Sequence, residues 1–369
     1  MYYLGVISGT SMDSIDAVIA HFCEDNHQLT LKQTYTHPIP DDLKTQSLQL
    51  SQQGTVSLQT FGELDHRWGI LFAQTCQNII QQSGISKQDI KAIGSHGQTL
   101  WHSPQKELGF SLQVGDPNII AKQTQITTIS DFRRGDMALG GQGAPLAPIF
   151  HHWLFAGEQP CVLLNLGGIA NITVLTAEQK ILGFDTGPAN GLLDSWVQEK
   201  YQRPYDQNGQ LSQQGKVIPE LLHAFLADPY FQQPPPKSTG KDYFNLAWIE
   251  QQLKTLNKNN YDNQDILCTL THLTAQTIAQ DIKQALPQAT VIVCGGGAEN
   301  PFLLQCLNVY LGKDYPIKST AAYGIDPKWI EASCFAWLAK QRLNENSLDL
   351  RSITGVREKT LLGGIYAGG

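Results

Sequence analysis

Apolar residues follow two rhythms along this chain, and the order of those rhythms repeats. Tyr2 to Ile7 is an apolar run, Ser8 to Ser14 is small and polar, and Ile15 to Phe22 is apolar again. The pattern predicts two strands joined as a β-hairpin with GTSMDSID at its tip. After a polar connection, Phe61, Leu64, Trp68, Leu71, Phe72, Ile79 and Ile80 recur at helical spacing across 61–83. Ile90–Ile93 predicts a short strand that runs into Gly94-Ser95-His96-Gly97-Gln98-Thr99. Gln113–Pro117 ends another strand, with Asp116 as the cap and Pro117 at the start of a helix from Asn118. Ile126–Ile129 predicts a strand leading to Ser130-Asp131-Phe132-Arg133-Arg134-Gly135-Asp136.

Gly140-Gly141-Gln142-Gly143 precedes an apolar helix, 144–155, taken as the crossing between lobes, and the pattern then starts over. Cys161–Leu166 is a strand, Gly167-Gly168-Ile169-Ala170-Asn171 a turn, and Ile172–Leu175 a returning strand. Two hairpins of this kind, one opening each half, predict two pseudo-equivalent α/β lobes, 1–140 and 141–369, with a ligand cleft between them. The C-terminal tail, ending LLGGIYAGG, is expected to pack back on the first lobe. Ile181–Asp185 is an apolar run broken by Thr186-Gly187-Pro188-Ala189-Asn190, after which Leu192, Leu193, Trp196 and Val197 return at helical spacing. Further on, 201–239 is rich in Gln and Pro, His272–Leu286 is an amphipathic helix, and Val291–Cys294 is a buried-type strand. That strand enters Gly295-Gly296-Gly297-Ala298-Glu299-Asn300-Pro301 and then a helix through Leu311. Gly324–Pro327 caps a last long helix with Ile330, Cys334, Trp337 and Leu338 on its apolar face.

Composition narrows the class. With 369 residues, 41% hydrophobic and 16% charged, the chain reads as an ordinary globular protein large enough for two cores. A net charge of -7 without runs of Lys or Arg argues against nucleic acid or an acidic membrane as partner. No apolar segment reaches the roughly 18 to 20 residues of a membrane span, and the first residues lack a leader pattern, so a cytoplasmic location is expected. The seven cysteines are scattered without metal-ligand spacing, which predicts reduced, buried thiols.

Chemistry gathers at the ends of the predicted strands, where open α/β sheets bind ligands. Asp185 closes a strand before a helix and reads as a general base, or as an Asx turn holding Gly187 and Asn190. At the first hairpin tip Gly9 lets a phosphate approach, Thr10 and Ser11 donate, and Asp13 or Asp16 can hold a metal through water, unless the tip is a plain turn. His96, set between glycines, is expected to be exposed enough to bind a polyol or move a proton, or to be a loop histidine bonded to backbone. Arg133 and Arg134 grip a carboxylate or phosphate, or else form surface ion pairs with Asp131 and Asp136. Three glycines, 295–297, strip side chains from a strand end and leave room for a base or phosphate. Lys237-Ser238-Thr239-Gly240-Lys241 follows three prolines, lacks the full phosphate-loop pattern and is read as an edge loop of a substrate or nucleotide site. Glu331 is a first-turn residue favoured by the helix dipole, of interest only if that turn faces the cleft.

Taken in order, SGTSMDSID, GSHGQTLWH, DFRRGDMALGGQGAPL, NLGGIAN, GFDTGPAN, PKSTGKDYFN and CGGGAENPF make the chain resemble the anhydro-N-acetylmuramic acid kinases from about residue 5 to the C-terminus. The resemblance implies a two-lobed actin-like (ribonuclease H-like) ATPase fold with an interlobe cleft, ATP and Mg²⁺, a homodimer, and work in cell-wall murein recycling. Carried over by position, Gly9, Thr10, Ser11, Met12, Asp13 and Asp16 belong to a first phosphate hairpin, Asp13 meeting the metal through water. Gly167, Gly168 and Asn171 belong to a second. Gly295, Gly296, Gly297, Ala298 and Asn300 line the adenosine, Asp185 is the catalytic base, and His96, Arg133 and Glu331 meet the sugar. Ser14 and Ala189 depart from the pattern, standing where members commonly carry Gly. The implied reaction opens the 1,6-anhydro ring of anhydro-N-acetylmuramic acid with water and phosphorylates O6. An ordinary hexose kinase and an actin- or Hsp70-like nucleotide switch remain the alternatives on residues alone.

Overall fold

Residues 1–9, 12–104, 107–178, 180–235, 237–241, 243–256 and 261–369 are described by a computed structural model. Thr10, Ser11 and Pro236, all singled out in the sequence, lie outside the described residues. The chain divides into two compact units, Met1–Ala156 with Trp329–Gly369, and Gly157–Lys328. The first unit thus runs past the expected boundary at 140, takes in the helix read as a crossing, and includes the last stretch of the chain.

In the first unit, β1 (Tyr2–Ser8), β2 (Ser14–Cys23) and β3 (Gln28–Pro38) form an antiparallel meander. β4 (Ile90–Ser103) lies parallel to β1, with Gly5 opposite Gly94. The far half of β4 pairs antiparallel with β5 (Phe110–Val114), and its near half pairs parallel with β6 (Thr128–Ser130). The C-terminal strand Gly364–Tyr366 adds antiparallel to β6. The polar connection of the sequence reading holds two unanticipated elements, β3 and the helix Asp41–Gln53. β3 alternates Leu29, Leu31 and Gln33 with polar residues at the sheet edge, so its apolar signal is weak.

One face of this sheet carries the predicted long helix, Leu58–Ser83, with Leu64, Trp68, Phe72, Cys76 and Ile79 buried against Leu4, Val6, Ile15 and Ile93. Ser57 caps that helix by accepting from the Thr60 N–H at 3.0 Å. The other face carries Ile330–Leu343, a helix buried along nearly its whole length.

The helix Ala147–Leu154 buries His151 beside Phe150. Burial holds the His151 imidazole neutral, pushed down to about 4. An unfolded chain takes that proton near pH 6.5, so the stability this histidine contributes is whole above that pH and is lost as pH falls toward 4. Each pH unit inside the window costs about 1.4 kcal/mol. Urea midpoints are expected to decline through this window, with a shallower slope for His151→Gln; parallel slopes would contradict the account.

The second unit repeats the plan. β7 (Cys161–Leu166), β8 (Ile169–Leu175) and β9 (Ile181–Pro188) are antiparallel, β10 (Thr290–Cys294) lies parallel to β7, and β11 (Ile317–Ser319) parallel to β10. The orders β3–β2–β1–β4–β6 and β9–β8–β7–β10–β11 are therefore equivalent. A three-strand meander whose first strand continues into parallel neighbours is the ribonuclease H-like arrangement, and its occurrence in both units makes the chain an actin-like α/β protein. The helix expected over 272–286 begins earlier, Asn263–Ala285, where Asp262 caps it by accepting from the Gln264 N–H at 2.7 Å. Its apolar face divides between the sheet, through Ala275, Ile278 and Ile282, and a helical layer, through Ile266, Leu270 and Leu273. That layer includes Pro219–Leu226, a helix inside the Gln- and Pro-rich stretch, started by Pro219 in its first turn. All seven cysteines are free thiols, and no described helix is long and apolar enough to cross a membrane.

Candidate active site

Asp185 stands on β9 directly opposite Asn171 of β8, beside a bulge between Ala170 and Asn171. Its main chain is fixed on both sides: the N–H donates to the Lys237 carbonyl at 3.0 Å, and the carbonyl accepts from the Tyr230 hydroxyl at 2.7 Å. Among the described residues its carboxylate is held through Oδ2, which accepts from Ser238 Oγ and the Thr239 N–H, both at 3.0 Å. No described residue bonds Oδ1. Burial raises the Asp185 pKa, and the two donors from Ser238 and Thr239 oppose that rise. The result is a fixed carboxylate with one oxygen that no described residue bonds, more basic than an exposed aspartate.

The Asx-turn alternative does not describe this residue, because its carboxylate bonds to the 238–239 segment and not to its own turn. Ser238 and Thr239, which sequence reasoning saw only as an edge loop, thus join Asp185 in the candidate site. Nothing local in GFDTGPAN points to partners 53 and 54 residues away.

Beside Asp185, the β7–β8 hairpin presents Gly167 and Gly168. Their carbonyls accept from the N–H groups that open the next helix: Asn190 N–H to Gly167 at 3.0 Å, and Ala189 and Gly191 N–H to Gly168 at 3.1 and 3.0 Å. Lys241 lies close by, its Cε 3.2 Å from where a Cβ on Gly168 would stand. Ala189, one of the two departures, has φ −130°, so a side chain there meets no positive-φ restriction.

The glycine triplet is less uniform than its sequence suggests. Gly295 has φ 78° and a Cβ there would overlap Asn165 Oδ1, while a Cβ on Gly297 would come within 2.6 Å of Leu166 Cβ. Those two glycines serve close packing on the end of β7. Only Gly296 is open, with nothing nearer than Asn190 Nδ2 at 4.0 Å, and it faces a cavity of about 350 Å³ that Leu193, Tyr205, Asn208 and Asn300 also line. Ala298 N–H closes the turn on the Gly295 carbonyl at 3.0 Å. Asn300 is committed by its Oδ1 to capping the helix Pro301–Leu311, accepting from Leu303 N–H at 3.1 Å.

The first hairpin belongs to the other unit. The Met12 N–H donates to the Gly9 carbonyl at 3.0 Å, and Met12 takes φ 54° with its side chain in the core, so only its main chain can face a ligand. Among the described residues, chain neighbours aside, no atom lies within 4 Å of where a Cβ on Gly9 would stand. Asp13 is exposed and pairs with Lys44 Nζ at 2.9 Å, and Asp16 on β2 accepts from Thr36 Oγ1 at 2.8 Å. Ser14, the other departure, opens β2 and is not among the positive-φ residues. Among the described residues no three His, Cys, Asp or Glu side chains converge as a metal site. Mg²⁺ carried by nucleotide phosphates needs no such cage, since it keeps most of its waters, so a single exposed carboxylate such as Asp13 fits it.

In the same unit, His96 corrects the expectation of exposure. It is 6% exposed, and its Nε2 lies 3.1 Å from Arg133 Nε and 2.9 Å from Arg133 Nη2. A guanidinium only donates, so Nε2 accepts and Nδ1 carries the proton that faces the Gly97 carbonyl at 3.0 Å. Burial, and then the charge of Arg133, hold the ring neutral well below its ordinary value. His96 therefore orients Arg133 and is not poised for proton transfer.

Arg133 Nη1 donates to the Gly143 carbonyl at 2.8 Å. That turn is set by buried Asp136, which accepts from Gly143 N–H at 2.7 Å and from Thr354 Oγ1 at 2.6 Å. Burial lowers Arg133 to about 10, with Glu331 opposing, so the group remains a cation at neutral pH with N–H donors to spare. Arg134 differs: it forms a surface pair with Asp131, Nη2 to Oδ2 at 2.7 Å. Glu331 retains solvent-exposed surface while protein surrounds it, and this poor hydration raises its carboxyl, with Arg133 lowering it and Asp16 raising it. His96, Arg133, Glu331 and Asp16 thus form one electrostatic group in the first unit.

A family model described as anhydro-N-acetylmuramic acid kinase matches residues 1–368. A protein of that name from Shewanella sp. (strain ANA-3) is 47% identical over 369 residues, covering 99% of this chain and 98% of the relative. Its namesake from Actinobacillus pleuropneumoniae serotype 7 (strain AP76) is 44% identical over 367 residues with the same coverage. Among solved structures, xylulose kinase from Rhodospirillum rubrum aligns at 12% identity with a TM-score of 0.45, over 98% of this chain and 94% of that one.

Proposed function

The chain belongs to the anhydro-N-acetylmuramic acid kinase family, and on that premise we propose that it spends ATP to open the 1,6-anhydro ring of its sugar with water and to phosphorylate O6. The product is N-acetylmuramic acid 6-phosphate, which returns cell-wall sugar to metabolism. The proposal includes a homodimer working in the cytoplasm.

The observation that carries the chemistry is the carboxylate of Asp185, clamped at Oδ2 and bonded at Oδ1 by none of the described residues. O6 of the anhydro sugar is tied to the anomeric carbon and has no proton to give up, so the base must act on something else. A water bonded to Oδ1 attacks C1, its proton passing to Asp185. The C1–O6 bond breaks, and O6 takes the γ-phosphoryl group as ADP leaves. Atoms balance without a further reactant, and most of what phosphoryl transfer requires of the protein is alignment and charge.

Around that step, Gly9, Thr10, Ser11, Met12, Asp13 and Asp16 act as one phosphate hairpin and Gly167, Gly168 and Asn171 as the other. The open backbone at Gly9 supports the first assignment, and Lys241 beside Gly168 adds positive charge at the second. Asp13 would hold Mg²⁺ through water, and the ion would supply charge neutralisation at the phosphates. Gly295, Gly296, Gly297, Ala298 and Asn300 take the adenosine, with Gly296 the open face and the others its frame. Arg133, steadied by His96, binds the lactyl carboxylate, and Glu331 meets the sugar hydroxyls.

Turnover in ¹⁸O-labelled water tests the reading. The label is expected on C1 of the product and absent from the phosphate, with ATP consumption dependent on the anhydro sugar. Unlabelled C1 would favour an ordinary hexose kinase, and sugar-independent ATP hydrolysis a nucleotide switch.

A further inference from the structure

We propose that the buried Lys237–Asp281 ion pair is a positioning device for Asp185, anchoring the loop that holds its main chain and carboxylate; this rests on Asp185 being the base. Lys237 Nζ lies 3.1 Å from Asp281 Oδ1 and 3.0 Å from Oδ2, and the side chains are only 2% and 6% exposed. Lysine and aspartate are seldom buried this far, and apolar residues of similar volume often stabilise a fold as well. Stability alone therefore does not account for the pair.

Its surroundings point to position. Lys237 accepts the Asp185 N–H through its carbonyl, and the next two residues, Ser238 and Thr239, supply both donors to Oδ2. Three consecutive residues thus bind Asp185, and the first is tied down by its side chain to the helix Asn263–Ala285. The Lys237 ammonium also sits 5.3 Å from the Tyr230 ring and 5.9 Å from the Phe184 ring. Tyr230 is the residue whose hydroxyl holds the Asp185 carbonyl, and Phe184 is its neighbour in β9. The groups that face Asp185 are thus Tyr230, Ser238 and Thr239, with Lys237 and Asp281 behind them. The bonds to the carboxylate come from Ser238 and Thr239, while Lys237 Nζ bonds Asp281, so the pair acts through the loop.

Removing one partner would leave a lone buried charge, so the test replaces both: Lys237→Met together with Asp281→Leu. A cooperative thermal transition establishes folding. The expected kcat is lower by about 10- to 100-fold, the cost of a reacting group held loosely, while KM for ATP stays within about twofold. The acid limb of the kcat–pH profile is expected at higher pH, because lost donors had favoured the ionised carboxylate. A kcat within about threefold of the parent, or an acid limb that stays in place, overturns the proposal. Asp281→Glu keeps the pair but lengthens it by one methylene; it is read by the same two criteria and decides if the double variant lacks a cooperative transition. Asp185→Asn is measured alongside. If it turns over like the parent, the base assignment fails and takes the proposal with it; if it is inactive while the pair variants behave like the parent, only the positioning role fails.

Discussion

Asp185→Asn is expected to lower kcat by about 10²- to 10⁴-fold, the usual contribution of a positioned general base, while leaving ATP affinity near that of the parent. Asparagine preserves the shape of the side chain, and its amide oxygen can still accept from Ser238 Oγ and Thr239 N–H, so the loop keeps its place. What disappears is the negative charge and the oxygen that takes the proton. The main-chain bonds to Lys237 and Tyr230 do not involve the side chain and should persist. Calorimetric titration with a non-hydrolysable ATP analogue separates the two effects. Turnover within tenfold of the parent would remove Asp185 from the role, because the substrate offers no hydroxyl proton whose loss could be left to solvent. A loss of nucleotide affinity in parallel with kcat would instead make the residue part of the phosphate site.

The architecture was legible where residues reported their own local geometry. Both hairpins were visible as two strand rhythms around a tip of Gly, Ser, Thr or Asn, and their equivalence foretold the repeated sheet order. Asp185 stood out as a candidate because it closes a strand before a helix, with an Asx turn as the structural alternative, and the flanking motifs favoured the base. What escaped depends on distance in sequence. The alternation of β3 is carried by few apolar residues at an edge, and Ser238 and Thr239 acquire meaning only when the loop folds onto β9. His96 misled for a related reason. Glycines on either side suggest an open loop, but β4 is a long strand and carries His96 within its interior stretch, so the ring meets Arg133 and not solvent. The glycine triplet was read as one feature, whereas close packing on β7 restricts Gly295 and Gly297, and Gly296 is the one with open space where a side chain would stand, although Gly297 also borders the cavity.

Gly94→Ala is expected to destabilise the protein by about 3 kcal/mol or more, at the upper end of the cost of overpacking. Gly94 and its neighbour Gly5 lie in register on β4 and β1, under the helix Ile330–Leu343. A Cβ on Gly94 would overlap the Phe335 carbonyl oxygen and come within 2.7 Å of the Phe335 carbonyl carbon and 3.1 Å of Ala339 Cβ. One on Gly5 would overlap the Ala332 carbonyl oxygen and come within 2.7 Å of Ala336 N. These obstacles are helix backbone, which cannot swing aside as a long side chain does, so the helix must lift from the sheet. In a strand pattern such glycines read as ordinary small residues, although the absence of a side chain there is what lets helix and sheet meet at backbone distance. Because one displacement of the helix relieves both clashes, Gly5→Ala with Gly94→Ala should cost less than the sum of the single changes. Glu331 rides on the first turn of the same helix and is coupled electrostatically to Arg133, so whatever folded protein remains should also show a raised KM for the sugar. Gly62→Ala, in the helix Leu58–Ser83 with nothing within 4 Å of the added carbon, is the control and should stabilise by about 0.5–1 kcal/mol. Urea unfolding of the four variants measures the contrast, and a Gly94→Ala midpoint equal to that of the parent would mean that the helix does not rest on the sheet through these two positions.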